Sequence, residues 1–307
     1  MAEIAGRFWI GEVALLVLST GTEPVTAVGF SADGWYVYAG TKDGRVIQSD
    51  GRESITTLIP VEAEFGTIHS FVESDYSKEW LAVGQRKYAS RRFANNLSSE
   101  IEFHTFDDAE DSTCWAALTP SILVYGSGSF LNLKPGYLRL FDRNQKRYLG
   151  AMVPEKGGVR TLAVSTPTQT VAWSTGDRQI VVWEITKPDR VRMSFQHTSP
   201  ALAFSPDGLT LAAAREWNVA LLDWKQKRER IVIKGHKGRV TAVAYTPDGT
   251  LLTASWDGTV RYWDTMGVEF RSLDFQRGRL TSMAIAPDGL RAIVGTDRGT
   301  IVIWDLV

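Results

Sequence analysis

A chain of 307 residues, 44% hydrophobic and 22% charged, has the composition of an ordinary globular protein and excludes a disordered one. Its 34 basic and 35 acidic side chains leave a net charge of -1, which supplies no general attraction to nucleic-acid phosphates or anionic lipid. The single cysteine, Cys114, excludes an internal disulfide framework, suits a reducing cytoplasmic setting and reads as a packing residue.

In chain order the first element is the apolar stretch Phe8 to Ser19, FWIGEVALLVLS, which has strand character. Its unbroken run Val13 to Leu18 falls far short of the roughly 20 residues that cross a bilayer. Glu3 and Glu12 around a single Arg7 do not make a secretory leader either. No membrane association is expected.

From Thr26 onward the chain repeats itself. TAVGFSADGWYVYAGTKDGRVIQSD starts at Thr26, and related copies start at Thr161, Ala201, Thr241 and Thr281, the last four spaced 40 residues apart. Two stretched copies lie between them, one running from Ile68 to Asp107 and ending IEFHTFD, the other from Trp115 to Asp142 and ending YLRLFD. The residue that closes the third apolar run is Ser49, Phe106, Phe141, Trp183, Trp224, Trp263 and Trp304 in turn, which makes seven units. Their boundaries fall near 20–60, 61–110, 111–153, 154–194, 195–233, 234–273 and 274–307.

Within a unit, short β-branched and aromatic runs are separated by turn dipeptides such as Asp207-Gly208, Asp248-Gly249, Asp257-Gly258 and Asp288-Gly289. Four strands in about 40 residues predict an all-β fold, a seven-bladed β-propeller of four-stranded antiparallel blades forming one domain over 1–307. The last unit stops at its third strand. Residues 7–19 are therefore expected to supply its outer strand and close the set.

The Gly235-His236 pair, the Ser-x-Asp of SWDGT and the Trp-Asp of Trp263-Asp264 and Trp304-Asp305 resemble the WD-repeat (WD40) family, over residues 5 to 307. The likeness is sharpest in the second half, and only unit six carries the full set. The resemblance implies a hydrogen-bonded structural tetrad of His236, Ser255, Asp257 and Trp263. A His-Ser-Asp set also invites a catalytic reading, but the serine would be spent as a link to the indole, and no oxyanion donors or elbow motif surround it.

Nothing else suggests chemistry. His69, His104, His197 and His236 show no paired spacing, one cysteine cannot build a zinc site, and neither a phosphate-binding loop nor G-x-S-x-G occurs. The expectation is a non-enzyme with no cofactor and no metal. The alternative is an enzyme or small-ligand propeller that uses the axial channel.

Binding is favoured, with a protein or peptide as partner, nucleic acid not expected and the protein monomeric by itself. In a WD-repeat blade the turn between the second and third strands shares a rim with the link into the next blade. Two insertions are assigned to such turns, Gln85 to Glu100 in unit two and Gly126 to Gly136 in unit three. The first offers Arg86, Lys87, Tyr88, Arg91, Arg92 and Phe93, and the second Phe130 and Lys134. Trp256 is the other candidate anchor; its matching positions are Lys42, Gly176, Arg215 and Asp297, a mixed set that suits a solvent-facing site. Lys237, Arg239 and Arg279, at the entries into first strands, would line the same rim. The basic run Lys225 to Arg230 falls on the opposite rim and reads as a solvated turn.

Overall fold

Short β-branched and aromatic runs, each cut off by a glycine or aspartate turn, leave no periodicity for a helix, and among the described residues every regular element is a strand. The computed structural model describes residues 6–306 apart from 11–12, 32, 51–54, 60–66, 69, 75–78, 84–86, 93–100, 106–111, 120, 129–135, 143, 146 and 196.

The chain starts with a hairpin, β1 (Gly6–Ile10) and β2 (Val13–Ser19). Blade one holds β3 (Val25–Phe30), β4 (Val37–Thr41), β5 (Val46–Ser49) and β6 (Ile55–Ile59). Blade two holds β7 (Ser70–Ser74), β8 (Glu79–Val83), β9 (Lys87–Arg92) and β10 (Ile101–Thr105). Blade three holds β11 (Ser112–Ala117), β12 (Ile122–Ser127), β13 (Gly136–Asp142) and β14 (Arg147–Glu155). Blade four holds β15 (Val159–Ser165), β16 (Thr170–Thr175), β17 (Gln179–Glu184) and β18 (Arg190–Ser194). Blade five holds β19 (Leu202–Phe204), β20 (Thr210–Arg215), β21 (Asn218–Asp223) and β22 (Arg228–Lys234). Blade six holds β23 (Val240–Tyr245), β24 (Leu251–Ser255), β25 (Thr259–Trp263) and β26 (Glu269–Asp274), and the last repeat holds β27 (Leu280–Ile285), β28 (Arg291–Thr296) and β29 (Thr300–Asp305).

The fold is an all-β propeller type built from four-stranded antiparallel blades, with six four-stranded sheets rather than the expected seven. The remaining sheet is five-stranded, in the order β1-β2-β29-β28-β27. Phe8 to Ser19 is not one strand: β1 ends at Ile10, β2 begins at Val13, and the two pair antiparallel with Gly6 opposite Val17. The second arm, β2, takes the outer place beside β29, with Leu15 opposite Trp304 and Ser19 opposite Thr300.

Blade two carries a second correction. Lys87–Arg92 is its third strand, paired with β8 through Val83 and Tyr88 and with β10 through Ile101 and Arg91. IEFHT is therefore the fourth strand, and Phe106 cannot close the third. Register puts Arg91 opposite Trp80, as Trp183 stands opposite Val171 and Trp304 opposite Ala292. A run rich in Arg and Lys carries little β-propensity of its own, so pairing on both sides must hold it in the sheet.

The strands fall into two compact units, one of Met1–Asp107, Ala254–Arg261 and Ser272–Val307, the other of Asp108–Thr253 and Tyr262–Arg271. In the first, Leu18, Ile301, Ile303 and Ile293 pack with Val25, Phe30, Val37 and Ala39 in one buried cluster. A Cβ added to Gly40 would collide with Ile68, and one added to Gly295 with Val25. In the second unit, Trp173 and Val181 pack with Val124, Leu138 and Val159, and Gly126 admits the Val159 side chain in the same way. A glycine in or beside the second strand thus gives room for the β-branched residue that opens the next blade.

Candidate partner-binding surface

The turn Trp256-Asp257-Gly258 joins β24 to β25 in the first unit. Asp257 Oδ1 accepts the Thr259 N–H at 3.0 Å and its hydroxyl at 2.7 Å, while Ser255 Oγ accepts the Asp257 N–H at 3.1 Å. Gly258 takes φ +84, and its carbonyl accepts the Phe275 N–H at 3.2 Å. A turn tied at these points holds the Trp256 ring 42% exposed, with the Arg279 guanidinium 5.1 Å from its centroid. Arg279 is fixed in turn, since its N–H donates to Asp297 Oδ1 at 2.9 Å and its carbonyl accepts the Asp297 N–H at 3.0 Å.

The same end of this unit carries exposed Arg298 and Lys42. The Lys42 N–H donates to the Pro24 carbonyl at 3.0 Å, and the Lys42 carbonyl accepts the Thr67 hydroxyl at 3.0 Å. Asp43 is held by Arg45 at 2.9 Å and by the Thr41 hydroxyl. Burial raises its carboxyl pKa, but these partners outweigh that and hold it below the usual carboxylate value. An exposed indole under a guanidinium, on backbone fixed by turn hydrogen bonds, offers an apolar anchor and directional cation donors.

In the second unit, Arg215 does not match Trp256. It ends β20 opposite Asn218, its side chain only 13% exposed, paired with Glu229 at 3.1 Å and lying over the Phe195 ring. The tip is the two-residue turn Glu216-Trp217, shorter than the blade-six turn Trp256-Asp257-Gly258, and both residues are exposed there, Trp217 at 60%. Glu216 takes φ +51, meets His197 Nδ1 at 3.3 Å and accepts the Val240 N–H on its carbonyl at 2.6 Å. The signal for Trp217 was a Glu-Trp pair between two apolar runs. Lys237 and Arg239 are exposed on the link into β23, as expected.

The hydroxyl that links the histidine to the indole is not the expected one. Thr253 Oγ1, not Ser255, lies 2.7 Å from His236 Nε2 and accepts the Trp263 indole N–H at 2.9 Å. Repeat spacing gives the reason. Trp183 stands opposite Val171, so 80 residues later Trp263 corresponds to a place opposite Leu251, with Thr253 its diagonal neighbour. Ser255 is two residues further along, about 7 Å more.

Of the predicted insertions, Lys87, Tyr88, Arg91 and Arg92 lie on strand β9 rather than in a loop. Arg86 and Phe93 lie outside the described residues, as do Phe130 and Lys134, which fall between β12 and β13 as expected. Among the described residues no group of three His, Cys, Asp or Glu side chains could hold a metal, and no helix is long and apolar enough to cross a membrane.

A family model described as "WD domain, G-beta repeat" matches residues 227–264 and 268–305. The chain is 30% identical over 148 residues to an uncharacterized WD repeat-containing protein of Synechocystis sp., covering 46% of this chain and 42% of that one. It is 32% identical over 77 residues to the small ribosomal subunit protein RACK1y of Oryza sativa subsp. japonica, covering 24% and 23%. It is 28% identical over 127 residues to a p21-activated protein kinase-interacting protein 1-like of Gallus gallus, covering 41% and 34%. The matches thus span less than half the length of these relatives.

Proposed function

Taking as premise that this chain is a WD-repeat protein, we propose that it is a non-catalytic scaffold or adaptor that docks a protein or peptide on the end of its blades carrying the second-to-third-strand turns and the blade links. The carrying observation is Trp256, 42% exposed and stacked with Arg279 on a tied turn. A ring left half in water is a poor use of an indole for packing and a good one for an anchor. Arg298 and Lys42 supply cations in the same unit, and the other unit also exposes an aromatic, Trp217, and two cations, Lys237 and Arg239. Phe130 and Lys134 remain candidates on the corresponding turn of blade three. Two relatives' names support an interaction role: one is a ribosomal subunit protein, the other is named for interacting with a kinase. A cytoplasmic location belongs to the same proposal and rests on the lone Cys114.

The test is affinity capture with mass spectrometry, then calorimetry on the recovered partner. Trp256→Ala should weaken binding by about 2 kcal/mol, roughly thirtyfold, while leaving the melting temperature unchanged. A partner that binds the variant with parental affinity removes Trp256 from the site. Turnover in a broad hydrolase screen would replace the scaffold reading with the enzymatic one.

A further inference from the structure

We propose that a surface in the second unit, made by the third-to-fourth-strand turn of blade six and the outer strand of blade five, docks an extended, acidic protein segment bearing apolar side chains. This uses none of the residues of the preceding reading. Met266, Val268 and Phe270 are 69%, 59% and 60% exposed, at alternate positions of TMGVEFR. The turn does not need them. Asp264 Oδ1 accepts the N–H groups of Met266 and Val268 at 2.9 and 2.8 Å, its backbone N–H donates to the Val268 carbonyl at 3.0 Å, and Gly267 supplies φ +76. Phe270 meets the Tyr262 ring edge-on at 6.0 Å yet stays mostly in water, and polar residues would close the same hairpin, so the exposed apolar strip calls for a partner.

The neighbourhood fixes that partner's charge. A Cβ on Gly267 would sit 2.9 Å from Ile231 Cγ2, so the turn rests against β22 just beyond the basic run Lys225 to Arg230. Lys225, Lys227, Arg228 and Arg230 are all exposed. Three nearby acids are committed: Glu229 pairs with Arg215 at 3.1 Å, Asp223 lies 3.9 Å from Arg228, and Asp264 caps the turn, while Glu269 lies within the strip and is outnumbered by these cations. Cations beside an apolar strip complement acidic and apolar residues on one ligand. Both β22 and β26 end their sheets' strand order, so each presents a backbone edge to an extended segment. A lipid surface would share the cation-plus-apolar chemistry. The chain's net charge of -1 supplies no general attraction to a membrane, which favours a protein.

The probe is a labelled synthetic peptide alternating glutamate with leucine, titrated into the full chain. Binding should weaken as salt rises. It should fall at least about tenfold with lysine in place of glutamate, with Met266→Ser plus Phe270→Ser, or with Lys227→Glu plus Arg230→Glu. Trp256→Ala should leave it unchanged, which separates this test from that of the proposed function. Every substituted side chain is exposed, so melting temperatures should hold; the salt titration of the unaltered protein stands if one variant fails to fold. Equal binding of the lysine peptide, or parental affinity in both double variants, overturns the proposal. Binding to phosphatidylserine vesicles but not to the peptide overturns it in favour of a membrane.

Discussion

A buried hydroxyl can satisfy two ring nitrogens only where the strand register brings it to both. Thr253 does so between His236 and Trp263, which are 7% and 2% exposed. Thr253→Val should therefore cost about 2–3 kcal/mol in urea unfolding, since it removes the shared partner of two buried ring nitrogens, whereas Thr253→Ser should cost less than about 1 kcal/mol. Ser255→Ala, which removes only an acceptor for the Asp257 N–H, belongs with the milder change; equal losses at the two positions would restore Ser255 as the link. The family resemblance put Ser255 beside the blade-six indole where Thr253 stands, because the two share a strand face and only the pairing register separates them. Two other indoles find carbonyls instead: Trp183 donates to Lys187 at 2.8 Å and Trp224 to Gly208 at 3.0 Å. Carboxylates at the first-to-second-strand turns set the response to acid. The Thr246 hydroxyl and the Thr250 N–H hold Asp248 below the usual carboxylate value, as the Ser205 hydroxyl and the Leu209 N–H do for Asp207. A lowered folded-state pKa stabilises above the unfolded value, near 4, and that stability is lost as pH falls through the folded value. Thermal melts of Asp248→Asn and the parent should differ at neutral pH and converge below about pH 4. A gap that widens in acid would refute the assignment.

At the level of the strand, the glycine-to-β-branched contact between blades carries a sharp expectation. Gly126 has no room for a Cβ because Val159, fully buried, fills that space. Gly126→Ala should destabilise by about 2–3 kcal/mol through overpacking. Adding Val159→Ala should recover about 1 kcal/mol relative to the sum of the single changes, because the two side chains compete for one volume. Strict additivity in denaturant unfolding would show that Val159 is not what excludes the methyl group. Strand identity was legible where short apolar runs were bounded by turn residues, as in LLTAS and TVRYW, and failed at KYASRR. There the charged side chains resemble a loop, and what makes a strand is pairing with β8 and β10, a long-range fact that local propensity does not carry. The same local view placed Arg215 at a turn tip, because a two-residue hairpin in blade five was aligned against a longer one in blade six.

For the molecule as a whole, the 40-residue period was sufficient to establish blades in the second half, where Trp263-Asp264 and Trp304-Asp305 mark the repeats that the family model also matches. What the period could not show is that the N-terminal stretch is a hairpin, since a Gly-Glu interruption is compatible with a bulge in one strand or a turn between two. The consequence is a sheet whose strands come from both ends of the sequence, tied by the Thr20 hydroxyl donating to the Gly299 carbonyl at 3.0 Å across 279 residues of chain. Contacts this distant in sequence are slow to form and costly to lose. Deleting residues 1–19 removes five ladder positions against β29 and uncovers the apolar cluster that Leu18 completes. The loss should be about 3–5 kcal/mol, at roughly 1 kcal/mol for each ladder bond lost. The uncovered β29 edge, TIVIWD, should pair between molecules, so the truncated protein should melt at a lower temperature and show a sedimentation coefficient that rises with concentration. A synthetic peptide of residues 6–19 added in trans should reverse both effects, because the edge it caps is already in register. A truncated chain that melts with the parent and stays monomeric would mean that β2 adds little to the sheet that it joins.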